Sequence, residues 1–356
     1  MNEKMKQLGC TEAQFLVAME EPRFHLGRIL TQQNKTYEII LEERRIHAEV
    51  SGKLRYEAKT LADFPVVGDF VLVDRETSEE GRAVIHRVLP RKSLFLRKAS
   101  GKTTEAQPVA ANVDTLFLCM ALNENYNVRR LERYFAVALE SGAKPVFVLT
   151  KRDLAENVSE KVQEVEEMAM GYPVVVTSAL REEGVEALKA YTKAGETCAF
   201  LGSSGVGKST LMNVLLGENI METKDVGFQD KGRHTTTHRA MHLLPHGGAL
   251  IDTPGMRELG LVEADVDTAF SDVENFAKGC KFSDCTHKEE PHCAVKEAVS
   301  SGALSMQRLR SYHKLKEEAP YEGLSAREID KKKVQRMFGG KKGMKRLKDQ
   351  VKKKNL

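Results

Sequence analysis

The chain has 356 residues, 41% of them hydrophobic, and a formal net charge of +4. That length predicts two or three domains, each with enough apolar residues for its own core. No apolar run approaches the ~18 residues of a membrane span. The start, MNEKMKQLGC, lacks the basic-then-apolar layout of a secretory signal. A cytoplasmic protein with no membrane partner is expected. The charge is uneven: residues 331–356 carry twelve Lys or Arg against one acid, Asp349, and the remainder is slightly acidic. Six cysteines are too few for a disulfide scaffold, and Cys280, Cys285 and Cys293 crowd into fourteen residues, which favours a metal over cystine.

In chain order, residues 10–20 (CTEAQFLVAME) have helical spacing and belong to an N-terminal extension, 1–27. Residues 28–100 predict a small β-barrel of the OB type. RILTQQNKTYEIILE, IHAEVSG, LRYEA, DFVLVD and GRAVIHRVLP alternate apolar and polar residues, with Gly52, Gly68 and Gly81 at expected turns. Residues 110–262 read as a parallel α/β domain. VDTLFLCMAL, KPVFVLT, YPVVVTS, TCAFLG and GALIDTPG are continuous apolar runs, as strands covered on both faces require. NVRRLERYFAVALESG predicts an amphipathic crossover helix ending at Gly142. Residues 265–330 are helical, charged and built around the cysteines, and 331–356 form the basic tail.

Residues 202–209 read GSSGVGKS between an apolar strand and a helix, the setting a phosphate-binding P-loop needs. Its members are Gly202, Ser203, Ser204, Gly205, Val206, Gly207, Lys208 and Ser209, followed by Thr210. The glycines let backbone N–H groups turn toward phosphates, and the helix start adds positive potential. Lys208 is expected at the β- and γ-phosphates and Ser209 on Mg²⁺. DTPG at 252–255 places Asp252 for Mg²⁺ through water, and the Gly255 N–H for the γ-phosphate. TKRD at 150–153 (Thr150, Lys151, Arg152, Asp153) follows another strand. The Asp153 carboxylate can accept from the N1–H and amine of guanine, a donor pair adenine lacks. The Lys151 stem can cover the base. TSA at 177–179, with Ser178 and Ala179, can supply a backbone N–H to the guanine oxygen.

Each short motif alone is weak; all four at strand ends of one sheet specify a guanine-nucleotide site for GTP and GDP. Their order is permuted, with TKRD and TSA ahead of the P-loop and DTPG last. The segment after DTPG then leads into the cysteine region, a route by chain from a γ-phosphate sensor to another domain. Between P-loop and DTPG lies QDKGRHTTTHRAMHLLP. Thr235, Thr236 and Thr237 are candidates for the Mg²⁺-sensing threonine, with Thr236 or Thr237 favoured. Met256 stands where many GTPases carry a water-orienting glutamine, so His234 is the candidate for that role.

CKFSDCTHKEEPHC at 280–293 gives C-x4-C-x-H-x5-C. Cys280, Cys285, His287 and Cys293 form a Cys₃His set suited to one structural, tetrahedral Zn²⁺, with His292 as a lesser substitute for His287.

These motifs together resemble the RsgA (YjeQ) family of circularly permuted GTPases, over roughly residues 28–315. GRHTTTH (232–238) and FSDCTHKEEPHCAVK (282–296) carry the likeness especially. The resemblance implies an OB-barrel, permuted-GTPase and zinc-domain architecture and late assembly of the small ribosomal subunit. It further implies binding of rRNA and ribosomal proteins with GTP, and release after subunit-stimulated hydrolysis. A monomer is expected. The family's guanine motif begins with Asn, here Thr150, whose hydroxyl replaces only part of an amide's hydrogen bonding. PRKSLFLRKASGK at 90–102 and the basic tail suit phosphate contacts, and the barrel contains Tyr37, Tyr56, Phe64, Phe70 and Phe95. The competing reading is an RNA-binding module that binds GTP with little or no turnover. A DNA-reading zinc protein ranks below it because the cysteine spacing differs from the usual finger. A P-loop kinase has no need of a guanine reader.

Overall fold

The computed structural model describes residues 3–98, 106–218, 239–252, 270–306 and 308–313, apart from positions 34, 43, 78, 80, 246, 283, 284 and 311. The motif residues His234, Thr235, Thr236, Thr237, Gly255 and Met256 and the basic tail lie outside these residues.

Two short helices, α1 (Glu3–Gln7) and α2 (Glu12–Met19), precede the barrel. Thr11 opens α2 with a capping box: its hydroxyl accepts from Gln14 N at 3.2 Å, and Gln14 Oε1 accepts from Thr11 N at 3.0 Å. Five strands follow: β1 (His25–Gln33), β2 (Thr36–Ile40), β3 (Arg45–Val50), β4 (Phe70–Val73) and β5 (Ala83–Val88). They pair in the order β1-β2-β3-β5-β4, and β4 returns to β1, closing the barrel. In β3 exposed Arg45, His47 and Glu49 alternate with buried Ile46, Ala48 and Val50, the period of two that a barrel wall requires.

One predicted strand is not a strand. LRYEA falls in helix α3 (Gly52–Glu57), capped by Ser51, whose Oγ accepts from Leu54 N at 3.1 Å. Its apparent alternation packs only Leu54 against the core and leaves Tyr56 91% exposed. The fifth barrel strand comes instead from the long first run, which a turn splits into β1 and β2.

An antiparallel hairpin, β6 (Leu94–Lys98) and β7 (Ala106–Ala111), leads into the α/β region. There β10 (Val174–Val176), β9 (Lys144–Thr150), β8 (Thr115–Ala121), β11 (Thr197–Leu201) and β13 (Ala249–Asp252) lie parallel in that spatial order. The continuous apolar run of β8 divides between two cores. Leu116, Leu118 and Met120 pack with α4 (Val128–Ser141) and α5 (Val158–Met168). Phe117, Cys119 and Ala121 pack with α6 (Val185–Lys189) and α7 (Lys208–Leu216). Covering on both faces is why no polar alternation is visible in that run. Helix α4 starts on Asn127, whose side chain accepts from Arg130 N at 3.0 Å, and stops at Gly142, at φ +83°.

The barrel and the α/β sheet are one hydrogen-bonded surface. Strand β12 (Arg239–Leu243) pairs with β13 on one side and with β1 on the other, so Ala240 faces both Asp252 and Thr31. A buried joint reinforces this seam. The Arg28 guanidinium donates to the carbonyls of Leu8, Gly68 (3.1 Å) and Asn112 (3.3 Å), joining the N-terminal helices, the barrel and the entry to β8. Beside it, Asp69 takes a bidentate pair from Arg91 at 2.8 and 2.7 Å. The C-terminal helices Ser271–Ala277 and Ala294–Ser300 share a small core with Ala136 of α4. Arg308 secures it: the guanidinium binds both Asp272 oxygens at 3.0 Å, lies 3.8 Å from Glu132 of α4, and covers the Phe270 ring at 4.0 Å.

Candidate functional site

The chain runs outward from β8 through β9 to β10, then crosses to β11 on the other side of β8. Ligand crevices form at such a switch, outside the carboxyl ends of the strands. The segments 150–153, 177–179, 202–209 and Asp252 follow or end β9, β10, β11 and β13 respectively, all at those ends.

The P-loop bends at Gly205 (φ +72°) and Gly207 (φ +100°) and leads into α7. Gly207 offers no side chain to cap the helix, so its first-turn N–H groups remain for a ligand in the loop. Gly202 is required for another reason: a Cβ there would stand 2.7 Å from the Cys119 carbonyl of β8. Lys208 Nζ donates to the carbonyls of Gly202 (2.6 Å) and Ser203 (2.7 Å), which holds the ammonium against the loop. Val206 is buried, while Ser204 and Gly205 are exposed and Ser203, Ser209 and Thr210 half-buried.

Thr150, 3% exposed, joins the guanine-side loop to the P-loop. Its Oγ1 donates to Val206 O at 2.6 Å, with Met120 O at 3.4 Å. The hydroxyl therefore ties two loops that no sequence spacing relates. Lys151 sits in the left-handed region (φ +60°), turning the chain so that residues 152–154 form a single 3-10 turn. Asp153 Oδ1 accepts from Ser178 Oγ at 2.6 Å, which fixes the carboxylate's orientation. Ser178 thus acts through its side chain, because its own N–H is already donated to Glu183 O at 3.0 Å. Among the described residues of this segment, the amide that makes no such bond is that of Ala179. Arg152 is held at the edge by Glu183, at 2.6 Å. The Thr150–Val206 and Ser178–Asp153 bonds were not legible beforehand; they join residues 56 and 25 positions apart.

At the cysteine cluster, the ligand atoms of Cys280, Cys285, His287 and Cys293 lie within 4.8 Å of one another. His287 Nδ1 is 3.6 Å from Cys280 Sγ and 3.4 Å from Cys293 Sγ. His292 is outside the group, so the histidine is His287, held at φ +60° and buried. Burial opposes ionisation of Cys280, but the N–H groups of Val295 and Ala294 and the neighbouring thiols bring its pKa below the ordinary thiol value. A thiolate facing the start of a helix is a good metal ligand. This set could hold a metal ion: the donors are convergent, partly buried and of the right chemistry.

Comparison with known proteins agrees with this arrangement. The family model described as RsgA GTPase matches residues 88–262. A model for ABC transporters matches 185–344, a stretch that contains the P-loop but not the guanine-side segments. The small ribosomal subunit biogenesis GTPase RsgA 2 of Lactiplantibacillus plantarum is 46% identical over 91% of both chains. The small ribosomal subunit biogenesis GTPase RsgA of Methanosarcina acetivorans is 42% identical over 87% of this chain and 83% of its own. The crystal structure of YjeQ from Thermotoga maritima superposes with a TM-score of 0.62 at 30% identity, covering 82% of this chain and 97% of that one. That of YloQ, a circularly permuted GTPase, gives 0.60 at 24% identity, a likeness of fold. With its strand-end loops in permuted order and close relatives that span nearly its whole length, this chain belongs to the RsgA GTPase family.

Proposed function

We propose that this protein hydrolyses GTP during late maturation of the small ribosomal subunit. It binds rRNA and the subunit in its GTP form and leaves after hydrolysis that the subunit stimulates. The observation that carries this reading is the guanine-side carboxylate: Asp153 is oriented by Ser178, and its loop is tied through Thr150 to the P-loop. One rigid unit thereby presents a base reader and a phosphate cradle together.

In this reading Asp153 accepts from the guanine edge, Lys151 covers the base and the Ala179 N–H meets the guanine oxygen. The backbone of Ser203 to Ser209 surrounds the phosphates, with Thr210 behind it, and Lys208 neutralises charge that develops on the leaving side. Ser209 and Asp252 are the residues that would hold Mg²⁺, which supplies further charge neutralisation when bound. Thr236 or Thr237 is the residue that would sense Mg²⁺, the Gly255 N–H meets the γ-phosphate, and His234 orients the attacking water. Cys280, Cys285, His287 and Cys293 would hold one Zn²⁺, supplying folding energy to a segment whose own core is small. The working division is an N-terminal extension (1–27), an OB barrel (28–100), a GTPase domain (110–262), a zinc domain (265–330) and a basic tail (331–356). The protein acts as a cytoplasmic monomer. Among the described residues no helix is long and apolar enough to cross a membrane.

The test is steady-state phosphate release from GTP with and without small ribosomal subunits, with ATP as control. Strong stimulation by subunits and negligible ATP turnover are expected. GTP turnover that subunits leave unchanged would refute the partner. Met256, in place of a glutamine, favours a second reading, a GTP-binding RNA module with little turnover. Absence of release under both conditions would establish that one.

A further inference from the structure

The base-reading loop, residues 151–157, leaves β9 at Thr150 and enters α5 at Val158. Lys151 at its start and Asn157 at its end both lie in the left-handed region, at φ +60° and +53°. L side chains rarely adopt that backbone, and it persists where surrounding contacts enforce it. Neither side chain makes a capping hydrogen bond to the turn or helix it precedes. Ser178 and Glu183 hold the middle of the loop, through Asp153 and Arg152. The ends are held elsewhere.

Both ends are tied to one residue. Leu122 follows β8 directly and is fully buried. Its N–H donates to Thr150 O at 3.0 Å, which fixes the start of the loop. Its carbonyl accepts from Lys161 Nζ at 2.6 Å, which fixes the far end through the first turn of α5. Lys161 is itself braced. Its ammonium lies 5.5 Å from the centre of the Tyr126 ring, and the Tyr126 hydroxyl donates to Glu164 Oε2 at 2.7 Å, one turn further along α5. A charged donor on a carbonyl is stronger than a neutral pair, and a buried carbonyl that loses its donor cannot turn to water instead. Asp153 sits inside a loop closed in this way. With both ends on Leu122, the loop has little freedom to carry the carboxylate elsewhere.

We propose that Lys161 is a positioning residue for guanine recognition: from α5 it holds the loop of Asp153 closed on the end of β8, in the shape that reads the base. Holding the loop in its binding shape lowers the ordering cost of binding. The inference rests on the reading of Asp153 as the guanine acceptor.

The test is competition of GTP, inosine triphosphate and ATP against a fluorescent guanine nucleotide, on the full chain and its Lys161 variants. Inosine triphosphate keeps the N1–H of guanine but lacks the exocyclic amine, so it offers Asp153 one donor instead of two. Lys161→Met keeps the apolar stem and removes the donor. GTP affinity should then fall on the order of tenfold and inosine triphosphate affinity about threefold. The preference between them narrows by about threefold, whereas a general loosening of the fold would weaken both alike. Lys161→Arg should restore the preference, because its guanidinium can donate to the same carbonyl. The native chain gives a reading that needs no variant: the Leu122 amide should be protected from hydrogen exchange.

An unchanged preference in folded Lys161→Met, no rescue by Lys161→Arg, or a freely exchanging Leu122 amide would overturn the proposal. ATP separates it from the reading beneath it. If the native chain prefers GTP to ATP and Lys161→Met keeps the native preference for GTP over inosine triphosphate, the role of Lys161 falls and the guanine site stands. If the native chain binds ATP as well as GTP, the guanine reading falls and takes the role of Lys161 with it.

Discussion

Thr150 is the position at which this chain departs from the family's guanine motif, and the structure gives it a specific task. Its hydroxyl donates to Val206 O at 2.6 Å from a side chain only 3% exposed. Thr150→Val keeps the shape and deletes the donor, leaving a buried carbonyl of the P-loop without that bond. Removing one partner of a buried hydrogen bond costs about 1–3 kcal/mol. Because the bond joins the base-reading loop to the phosphate loop, the loss should fall on the geometry that nucleotide binding needs. GTP and GDP should both bind about 5- to 150-fold more weakly, the equivalent of that range. Titration with a fluorescent guanine nucleotide measures this, and a melting curve without nucleotide separates the share that falls on stability. Thr150→Asn should retain binding, since an amide can donate to the same carbonyl. If Thr150→Val binds both nucleotides within twofold of the native chain and melts at the same temperature, the bond does not join the loops energetically and the reasoning fails.

Three further outcomes follow from the same geometry. Asp153→Asn replaces an acceptor pair with one acceptor and one donor, so GTP affinity should fall by about two orders of magnitude. Xanthosine triphosphate, whose base offers the matching donor and carbonyl, should bind the variant better than GTP does; competition binding decides. Arg308→Ala removes the guanidinium between Asp272 and Glu132, of which Arg308 and Glu132 are buried. Breaking such a pair costs about 3–5 kcal/mol, so the C-terminal region should come off α4 at lower denaturant, as hydrogen exchange in α4 would report. Glu290 accepts from the Thr286 hydroxyl and from the amides of Thr286 and Lys288, which lowers its pKa from 4.5 to about 2. The folded value lies below the unfolded one, so its contribution is complete above pH 4.5 and lost as pH falls toward 2. Carboxyl NMR titration should find that value, and a Glu290 that titrates near 4.5 would contradict the bonding described.

Much of the site was legible in the sequence because its pieces are local. GSSGVGKS, TKRD and TSA each need only a strand end and a turn, and short-range chemistry specifies both; of DTPG, Asp252 ends its strand and the rest lies outside the described residues. The Cys₃His spacing likewise named the four side chains that converge, since fourteen residues cannot stray far from one point. The misread segment, LRYEA, shows the limit of periodicity. Over five residues an alternating pattern and a capped helical turn look alike, and it was the Ser51 cap and the solvent around Tyr56 that decided for the helix.

Other facts came only with the fold, because they are contacts between distant parts of the chain. Thr150 and Val206 meet because β9 and β11 both flank β8. Ser178 spends its amide on Glu183 and so reaches Asp153 through its hydroxyl. The choice of His287 over His292 rests on which ring faces three thiols. The seam between barrel and α/β sheet, where Ala240 lies between Thr31 and Asp252, has no local signature at all. Sequence determined which chemistry this protein carries, since motifs are made of neighbours. Tertiary structure decided which groups hold that chemistry in register, since backbone pairing and burial bring together residues the chain keeps apart.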